Sequence, residues 1–294
     1  MIWYHGDKRL KSYFEGWYLK CQTKDGQCLA LIPAIHIDGD GCKTASIQVI
    51  TENQSWWLHF PGDLFHAERE HFLVQIDGNV FSKHGVELAI HEDGIDLVGK
   101  IRFGPFQPLR YSIMGPFEFL PKMECAHGVI SMKHRLEGEL LINDERIDFH
   151  GGIGYIESDR GNSFPSSYLW AQDTWAEGSF MLSIAEIPFG RLSFTGCICA
   201  INLDGKEYRI ATYLGARVGK WSSTFASVRQ DRYLLEVDFL KKRELPLKAP
   251  CTGKMIRTVH ESLHSTIRIR FSNGAKTLLD RITEMAGFEF SQNL

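Results

Sequence analysis

The stretch SFTGCICAINLDGKEYRIATYL, residues 193–214, decides the fold class of this chain. Two runs rich in apolar and β-branched residues flank the dipeptide Asp204-Gly205. A DG dipeptide between two such runs is typical of a two-residue turn that joins antiparallel strands, because both residues tolerate positive φ. The stretch therefore predicts a β-hairpin.

The same strand-and-turn pattern recurs along the chain of 294 residues. It runs from Ser12 to Phe271, and no long segment shows helical spacing of apolar residues. More than a dozen strands are too many for one small barrel. The sequence therefore predicts an all-β protein with two tandem antiparallel β-barrels or sandwiches, divided as residues 1–147 and 148–294.

Composition excludes several classes of protein. Hydrophobic residues make up 44% of the chain, enough for a substantial core. The net charge of −3 and the scattered Lys and Arg residues argue against nucleic acid as a partner. No run approaches the roughly 20 apolar residues of a membrane span, and the first residues do not resemble a signal peptide. Seven cysteines without a CxxC pair suit reduced thiols, so we expect a cytoplasmic protein that does not span a membrane.

The segment SYFEGWYLK, residues 12–20, places an acid among aromatic rings. The two-residue period of a strand puts Tyr13, Glu15 and Trp17 on one face. A carboxyl group that loses water without gaining a cation has a raised pKa, which suits proton transfer. The alternative is a buried ion pair that fixes strand register.

The segment GYIESDRGNSFPSSYLWAQ, residues 154–172, is the second place where acids meet aromatic residues. Glu157 and Asp159 share a face if the strand continues, and Arg160 begins a turn, where we expect Asp159 to hold it. The glycines that precede the segment lack the pattern of a dinucleotide-binding fingerprint.

The strand that follows this turn places Tyr168, Trp170 and Gln172 on one face. Such a face suits a flat, mostly apolar ligand that needs a few hydrogen bonds. The alternative is a core strand of a β-sandwich. Further along, Arg257 and Glu261 share a face, as a buried pair or as the polar wall of a pocket.

Other chemistry has weaker support. Twelve histidines are scattered, His127 and His134 among them, without the spacing of a zinc site, and we expect no metal. The chain has no GxSxG elbow and no P-loop lysine motif.

With these motifs the chain resembles the tocopherol cyclase family, in particular its shorter bacterial members. The similarity rests on GWY at residues 16–18, on a block of the form Y-x-E-x-x-x-G-x-x-FP-x-x-(aromatic)-x-W-x-Q, and on a late group of apolar residues. The matching residues of the block are Tyr155, Glu157, Gly161, Phe164, Pro165, Tyr168, Trp170 and Gln172. The late group consists of Leu247, Ala249 and Pro250.

The resemblance implies two lipocalin-like β-barrels of the AttH-like type, related to carotenoid hydratases. It also implies a reaction without a cofactor, in which an acid protonates an alkene and a phenol oxygen captures the cation to close a ring. Aromatic walls would stabilise that cation. The expected catalytic residues are Glu157, which matches the acid of the motif, and Glu15 and Asp159. The expected substrate-binding residues are Tyr13, Trp17, Tyr155, Arg160, Tyr168, Trp170, Gln172 and Arg257.

The chain departs from the plant cyclases at two positions. Arg160 stands where their block carries tryptophan, and Asp159 stands where it carries asparagine. A cation beside Glu157 would lower the pKa of its carboxyl group, and it would also favour an anionic or phenolate substrate.

Three hypotheses about function follow. The first is a cyclase or isomerase that acts on a small hydrophobic or phenolic molecule through Glu157 or Glu15. The second is a lipocalin-like carrier of such a molecule, and the third is a structural protein without a ligand. The sequence leaves the oligomeric state open.

Overall fold

The computed structural model describes residues 2–92, 94–119, 123–189 and 192–292. Within these ranges the regular structure consists of strands and four short 3-10 turns, and it contains no α-helix. The turns span Gly6–Lys8, Gly62–Leu64, Gly115–Phe119 and Thr212–Leu214. The prediction of an all-β protein is confirmed.

The first antiparallel sheet contains twelve strands in the order β4-β3-β2-β1-β12-β10-β9-β8-β7-β6-β5, with β11 paired to β10. Its strands are β1 (Tyr13–Gln22), β2 (Cys28–Ile37), β3 (Lys43–Ile50), β4 (Ser55–Pro61), β5 (Phe65–Ala67), β6 (Leu73–Ile76), β7 (Asn79–Ser82), β8 (Gly85–Glu92), β9 (Ile95–Phe103), β10 (Cys125–Ile142), β11 (Glu145–Asp148) and β12 (Gly152–Gly161).

The second antiparallel sheet contains ten strands in the order β16-β15-β14-β13-β22-β21-β19-β18-β17, with β20 paired to β21. Its strands are β13 (Tyr168–Trp175), β14 (Gly178–Phe189), β15 (Leu192–Leu203), β16 (Lys206–Ala211), β17 (Arg217–Trp221), β18 (Phe225–Gln230), β19 (Tyr233–Lys241), β20 (Leu245–Cys251), β21 (Lys254–Asn273) and β22 (Lys276–Ser291).

The chain forms two compact units, each assembled from three segments. Unit 1 consists of Met1–Leu109, Met123–Phe164 and Leu247–Thr258. Unit 2 consists of Arg110–Lys122, Pro165–Pro246 and Val259–Leu294. A boundary between independently folding domains near residue 147 stays a prediction.

The hairpin predicted from the opening stretch is present. Leu203 faces Lys206 across β15 and β16, and the two residues between them, Asp204 and Gly205, have φ values of 49° and 74°. Two consecutive positive φ values define the type of turn whose twist matches that of the flanking strands. Asp and Gly adopt it more readily than most residues, which explains why the sequence signal was reliable here.

Each unit has its own hydrophobic core on one face of its sheet. In unit 1 the core includes Trp17 and Leu19 of β1 and Ile156 of β12. In unit 2 it includes Leu169 of β13 and Phe288 of β22. Side chains that alternate with these residues point to the opposite face, where the candidate functional residues of β12 and β13 lie.

Among the described ranges, no segment forms a helix with the length and apolar character that crossing a bilayer requires.

Candidate active site

The pairing of β1 with β12 decides on which face each predicted acid lies. Glu15 is directly opposite Arg160, and Tyr18 is directly opposite Glu157. Residues that face each other across an antiparallel pair point to the same side, and consecutive residues alternate. Glu15 therefore shares the core face with Trp17, whereas Glu157 lies on the opposite face. The two acids expected to be alternative proton donors do not line one site.

Glu15 is buried on the core face and is fully engaged by protein groups. Its carboxylate accepts hydrogen bonds from the backbone N–H of His5 at 2.9 Å and from the Tyr13 hydroxyl at 2.7 Å, and its other oxygen lies 2.9 Å from His5 Nδ1. Burial and the charge of Glu15 raise the pKa of Tyr4 to about 12. The arrangement fixes the first residues of the chain against the core.

Trp17 lies within the core of unit 1 rather than on a wall open to a ligand. It is 1% exposed and packs against the rings of Tyr4 and Phe65. Tyr13 is also buried, and burial together with the charge of Glu15 raises the pKa of its hydroxyl. A role of Tyr13 and Trp17 in substrate binding stays a prediction.

Arg160 is half-buried in β12, on the face opposite to Glu157. The expectation that a guanidinium group lies beside Glu157 is therefore wrong. The Asp159 carboxylate contacts His127 and Cys125, and the expectation that it holds Arg160 stays a prediction.

The face opposite the core carries a chain of buried and half-buried polar side chains in contact across β12 and β10. The Tyr155 hydroxyl donates to Glu157 Oε2, and His127 Nε2 lies 3.4 Å from the same oxygen. His127 Nδ1 lies 3.0 Å from Asp159 Oδ1, and Cys125 Sγ donates to that oxygen at 3.3 Å. The imidazole ring thus stands between two carboxylates.

The pairing register of β10 and β12 brings His127 to the two carboxylates. His127 is directly opposite Asp159 across β10 and β12, and Val129 is directly opposite Glu157. The His127 ring therefore starts beside Asp159 and reaches along the strand to Glu157.

The two carboxylates govern the charge of the ring. Burial alone lowers the pKa of His127, but the charges of Asp159 and Glu157 and their contacts with the ring outweigh it and raise the pKa to about 10. Burial and the charge of Glu157 raise the pKa of Tyr155, and burial and the charge of Asp159 raise that of Cys125. At neutral pH the ring is an imidazolium, whereas the phenol and the thiol keep their protons.

The same three side chains have the composition of a metal site. His127, Glu157 and Asp159 each offer one ligand atom, and these atoms lie within 4.8 Å of one another. Nitrogen and carboxylate oxygen together suit several divalent metals. A metal requires a neutral imidazole, however, and both ring nitrogens already face carboxylates as in a charged pair. The geometry suits a proton better than a metal ion.

The remaining predicted residues belong to β13 and β21. Tyr168, Trp170 and Gln172 are buried on the face of β13 opposite the core of unit 2. Arg257 is half-buried in the part of β21 that belongs to unit 1, and Glu261 is buried in the part that belongs to unit 2. The pairing of Arg257 with Glu261 stays a prediction.

Sequence reasoning missed two polar residues of these faces, the half-buried His127 and the buried Glu289. His127 was one of twelve histidines without a motif, so nothing in the sequence connected it with Glu157 or Asp159. Glu289 lies on β22, a strand that was not predicted. The alternation of polar and apolar residues in FEFS, residues 288–291, was the signal that marks this strand.

Comparison with known proteins identifies the fold. No family model matches the chain, and no curated protein matches it in sequence. Kievitone hydratase from Nectria haematococca is similar in structure, with 10% identity, a TM-score of 0.56, and coverage of 95% of this chain and 89% of that chain. CghA with Sch210972 has 10% identity, a TM-score of 0.59 and the same coverage.

A putative AttH from Nitrosomonas europaea has 12% identity and a TM-score of 0.58, and the match covers 99% of this chain and 95% of that chain. Identities this low establish the shape of the molecule and not its activity. The chain therefore has the AttH-like fold of two antiparallel β units, as the sequence predicted.

Proposed function

We propose that this protein catalyses proton transfer to a small hydrophobic molecule, in a reaction of the tocopherol cyclase type. The observation that carries the proposal is the position of His127, which lies between Glu157 and Asp159 at 3.4 Å and 3.0 Å on a buried face. A protonated ring in contact with a second acid is an arrangement that can deliver a proton and recover it.

The roles follow from the contacts. His127 gives its Nε2 proton to the Glu157 carboxylate, and Glu157 transfers this proton to one carbon of an alkene as the π electrons of the double bond form the new C–H bond. Asp159 holds Nδ1 and keeps the ring in place. The phenol oxygen of the substrate then forms a C–O bond with the cation, and its proton returns through Glu157 to His127. No oxidant, reductant or cofactor is needed for this balance.

Aromatic residues of unit 1 support the acid. Tyr155 donates a hydrogen bond to Glu157, and Tyr18 is its buried cross-strand neighbour on the same face. The faces of such rings attract a cation that forms next to the acid. The burial of Glu157 also strengthens the electrostatic interactions within the cluster.

The comparisons lend the proposal limited support. One structural neighbour is named a hydratase, and acid-catalysed hydration of an alkene also begins with protonation of carbon. Another neighbour was solved with the small molecule Sch210972. Capture of the cation by water instead of a phenol oxygen would make the product an alcohol instead of a ring.

The proposal is tested with Glu157→Gln on a panel of prenylated phenols, with formation of product followed by chromatography. The amide keeps the shape of the side chain but lacks the transferable proton, so we expect a loss of about 10²–10⁴-fold in rate. Glu15→Gln is the matched control, because Glu15 is an equally buried acid on the other face of the same sheet. It should retain turnover if the variant folds.

Two outcomes would contradict the proposal. Full activity of Glu157→Gln would remove Glu157 from the reaction. Saturable binding of the panel without any turnover by the wild type would favour a carrier, the alternative function of a lipocalin-like fold.

A further inference from the structure

The face of unit 1 that carries the acid cluster has one position without a side chain, at Gly16 of β1. Four residues face one another across β2, β1, β12 and β10 and form one row, which consists of Ala34, Gly16, Asp159 and His127. Facing residues of antiparallel strands point to the same side of a sheet. The missing side chain of Gly16 therefore leaves a gap directly beside Asp159.

This gap is open. Every residue from Tyr13 to Cys21 is buried except Gly16, which is half-buried. A Cβ atom placed at Gly16 would lie 3.2 Å from Ala34 Cβ and 3.7 Å from the backbone oxygen of Pro33. Apart from the two chain neighbours of Gly16, no other atom of the described residues lies within 4 Å of that position. A ligand atom therefore finds room in the gap at ordinary contact distances of about 3.5–4.0 Å.

The conformation of the backbone does not explain the glycine. The φ angle of Gly16 lies outside the left-handed region that favours this residue. An alanine could adopt the same backbone angles, so the feature that distinguishes glycine here is the space that it leaves.

Side chains fill the other positions around Glu157. Tyr18 on β1 and Val129 on β10 are its direct cross-strand neighbours, and Tyr155 is the next residue on the same face of β12. All three residues are at most 9% exposed. Gly16 is the diagonal neighbour of Glu157, at a separation that a long side chain can span. Among these positions, the one at Gly16 leaves the approach to the acid free.

The exposure of the cluster changes in the same direction. The side chain of Asp159, beside the gap, is 22% exposed, and that of His127 is 11% exposed. The side chain of Glu157, which lies diagonally from the gap, is 6% exposed. The cluster is thus most accessible at the end that adjoins Gly16.

We propose that Gly16 determines specificity in the reaction at Glu157. The gap admits the reacting double bond of the substrate to the cluster, and a side chain at this position excludes it. The inference rests on the proposed function for the reaction. The access to the cluster that it assigns to Gly16 can be measured without turnover.

The first test compares kcat/KM of the wild type and Gly16→Ala for a prenylated phenol. The added methyl group occupies the gap, so we expect a loss of about tenfold or more. Gly128→Ala is the matched control, because a Cβ atom there would lie 3.1 Å from Ser158 Oγ, a similarly close contact. Gly128 lies on the core face, in the row of Ser158 and Trp17, and its substitution should retain the wild-type value.

A double variant separates the loss of space from a displacement of the strands. Ala34→Gly removes the side-chain atom that the new methyl group would meet, and it moves the free space one strand farther from Asp159. Gly16→Ala combined with Ala34→Gly should therefore keep the wild-type titration of the His127 ring and remain as slow as Gly16→Ala. Recovery of turnover in the double variant would overturn the inference.

Labelling of an introduced thiol tests the access by itself. Gly16→Cys is combined with Cys42→Ser and Cys251→Ser, which remove the exposed native thiols, and the protein is treated with methyl methanethiosulfonate. This reagent is small and uncharged. The introduced thiol should react rapidly under native conditions, and the reaction should shift the NMR signal of the His127 ring. The same background without Gly16→Cys should show no rapid reaction.

The two readouts keep this inference and the proposed function apart. A wild type that converts none of the prenylated phenols would refute the proposed function, and the labelling alone would then decide whether Gly16 gives access to the cluster. Wild-type kcat/KM in Gly16→Ala would overturn the inference. An introduced thiol that reacts no faster than the native buried thiols would overturn it as well.

Discussion

At the scale of single residues, the chemistry depends on which side of a strand each acid faces. Glu157 was predicted as the acid among aromatic rings, and it lies beside Tyr155 and His127. Glu15 has the same surroundings in sequence, yet its carboxylate is taken up by His5 and Tyr13 on the core face. The two-residue period predicted the face-sharing neighbours within each strand. It could not predict which face was the core face.

His127 shows why part of the site escaped prediction. It precedes Asp159 by 32 residues, and only the register of β10 against β12 makes the two direct neighbours. Register is a property of paired strands, and a single sequence does not specify it over such a separation.

The charge of His127 gives the first prediction. The ring should remain protonated in the wild type at pH values where an ordinary imidazole is neutral, because its pKa is raised to about 10. Asp159→Asn should move the titration of this ring toward the ordinary value of about 6.5. The measurement is a titration of the histidine ring nitrogens by NMR, with His127→Gln used to assign the signal.

The same shift has a consequence for stability. The His127 ring binds its proton more tightly in the folded state than in the unfolded state, and this stabilises the fold. The contribution is complete at pH values below the unfolded pKa of about 6.5. This contribution is lost as pH rises toward about 10. The pKa of His134 shifts in the opposite direction, because burial lowers it to about 3. The stability that depends on a neutral His134 ring is therefore lost as pH falls below about 6.5. In the NMR titration, a neutral His127 ring in the wild type at pH near 8 would contradict the raised pKa of this ring.

At the scale of elements, segments made almost entirely of β-branched and apolar residues gave the clearest sequence signal for strands. The segments Cys28–Ile37 and Ile95–Phe103 are rich in apolar and β-branched residues, and they form β2 and β9. The segment MKHRLEG, residues 132–138, contains several residues that favour helix, and it lies within β10. Its pairing with β9 and β12 outweighs the local preference of Lys, Arg, Leu and Glu for helix.

The contact of β12 with the residue before β10 gives an element-scale prediction. A Cβ atom added at Gly161 would lie 2.0 Å from the backbone oxygen of Glu124, so one strand must shift. Gly161→Ala should therefore lower the free energy of unfolding by about 1–3 kcal/mol and perturb the ring signal of His127. Chemical denaturation measures the first effect, and the NMR titration measures the second.

Gly39→Ala is the matched control for this substitution. The nearest atom to a Cβ at Gly39 is Ser12 Oγ at 3.9 Å, an ordinary contact distance. Equal stability of the two variants would show that the approach of Glu124 to Gly161 is not a constraint on β10.

At the scale of the whole molecule, the sequence predicted the fold class because strands and turns carry strong local signals. It did not predict which segments of the chain make up each unit. Segment 110–122 belongs to unit 2, although the segments on both sides of it belong to unit 1. Segment 247–258 belongs to unit 1, although the segments on both sides of it belong to unit 2. Such an exchange depends on tertiary contacts that local patterns do not report.

The distribution of cysteines gives a prediction for the intact protein. None of the seven cysteines forms a disulfide. Cys42 and Cys251 are exposed, Cys125 is half-buried, and the other four are buried. A thiol reagent should therefore modify two cysteines rapidly under native conditions and all seven after denaturation. Serine at both exposed positions should abolish the fast phase. A fast phase of more than two thiols in the wild type would contradict the lower accessibility of the remaining five.

The central claim is that the cluster around Glu157 delivers a proton to carbon, and turnover in heavy water tests it most directly. The product formed by the wild type from a prenylated phenol should carry one deuterium on the carbon that accepts the proton, detected by mass spectrometry and NMR. Glu157→Gln should form deuterated product about 10²–10⁴-fold more slowly. Product that contains no deuterium on carbon, or product formed at the wild-type rate by Glu157→Gln, would contradict the claim.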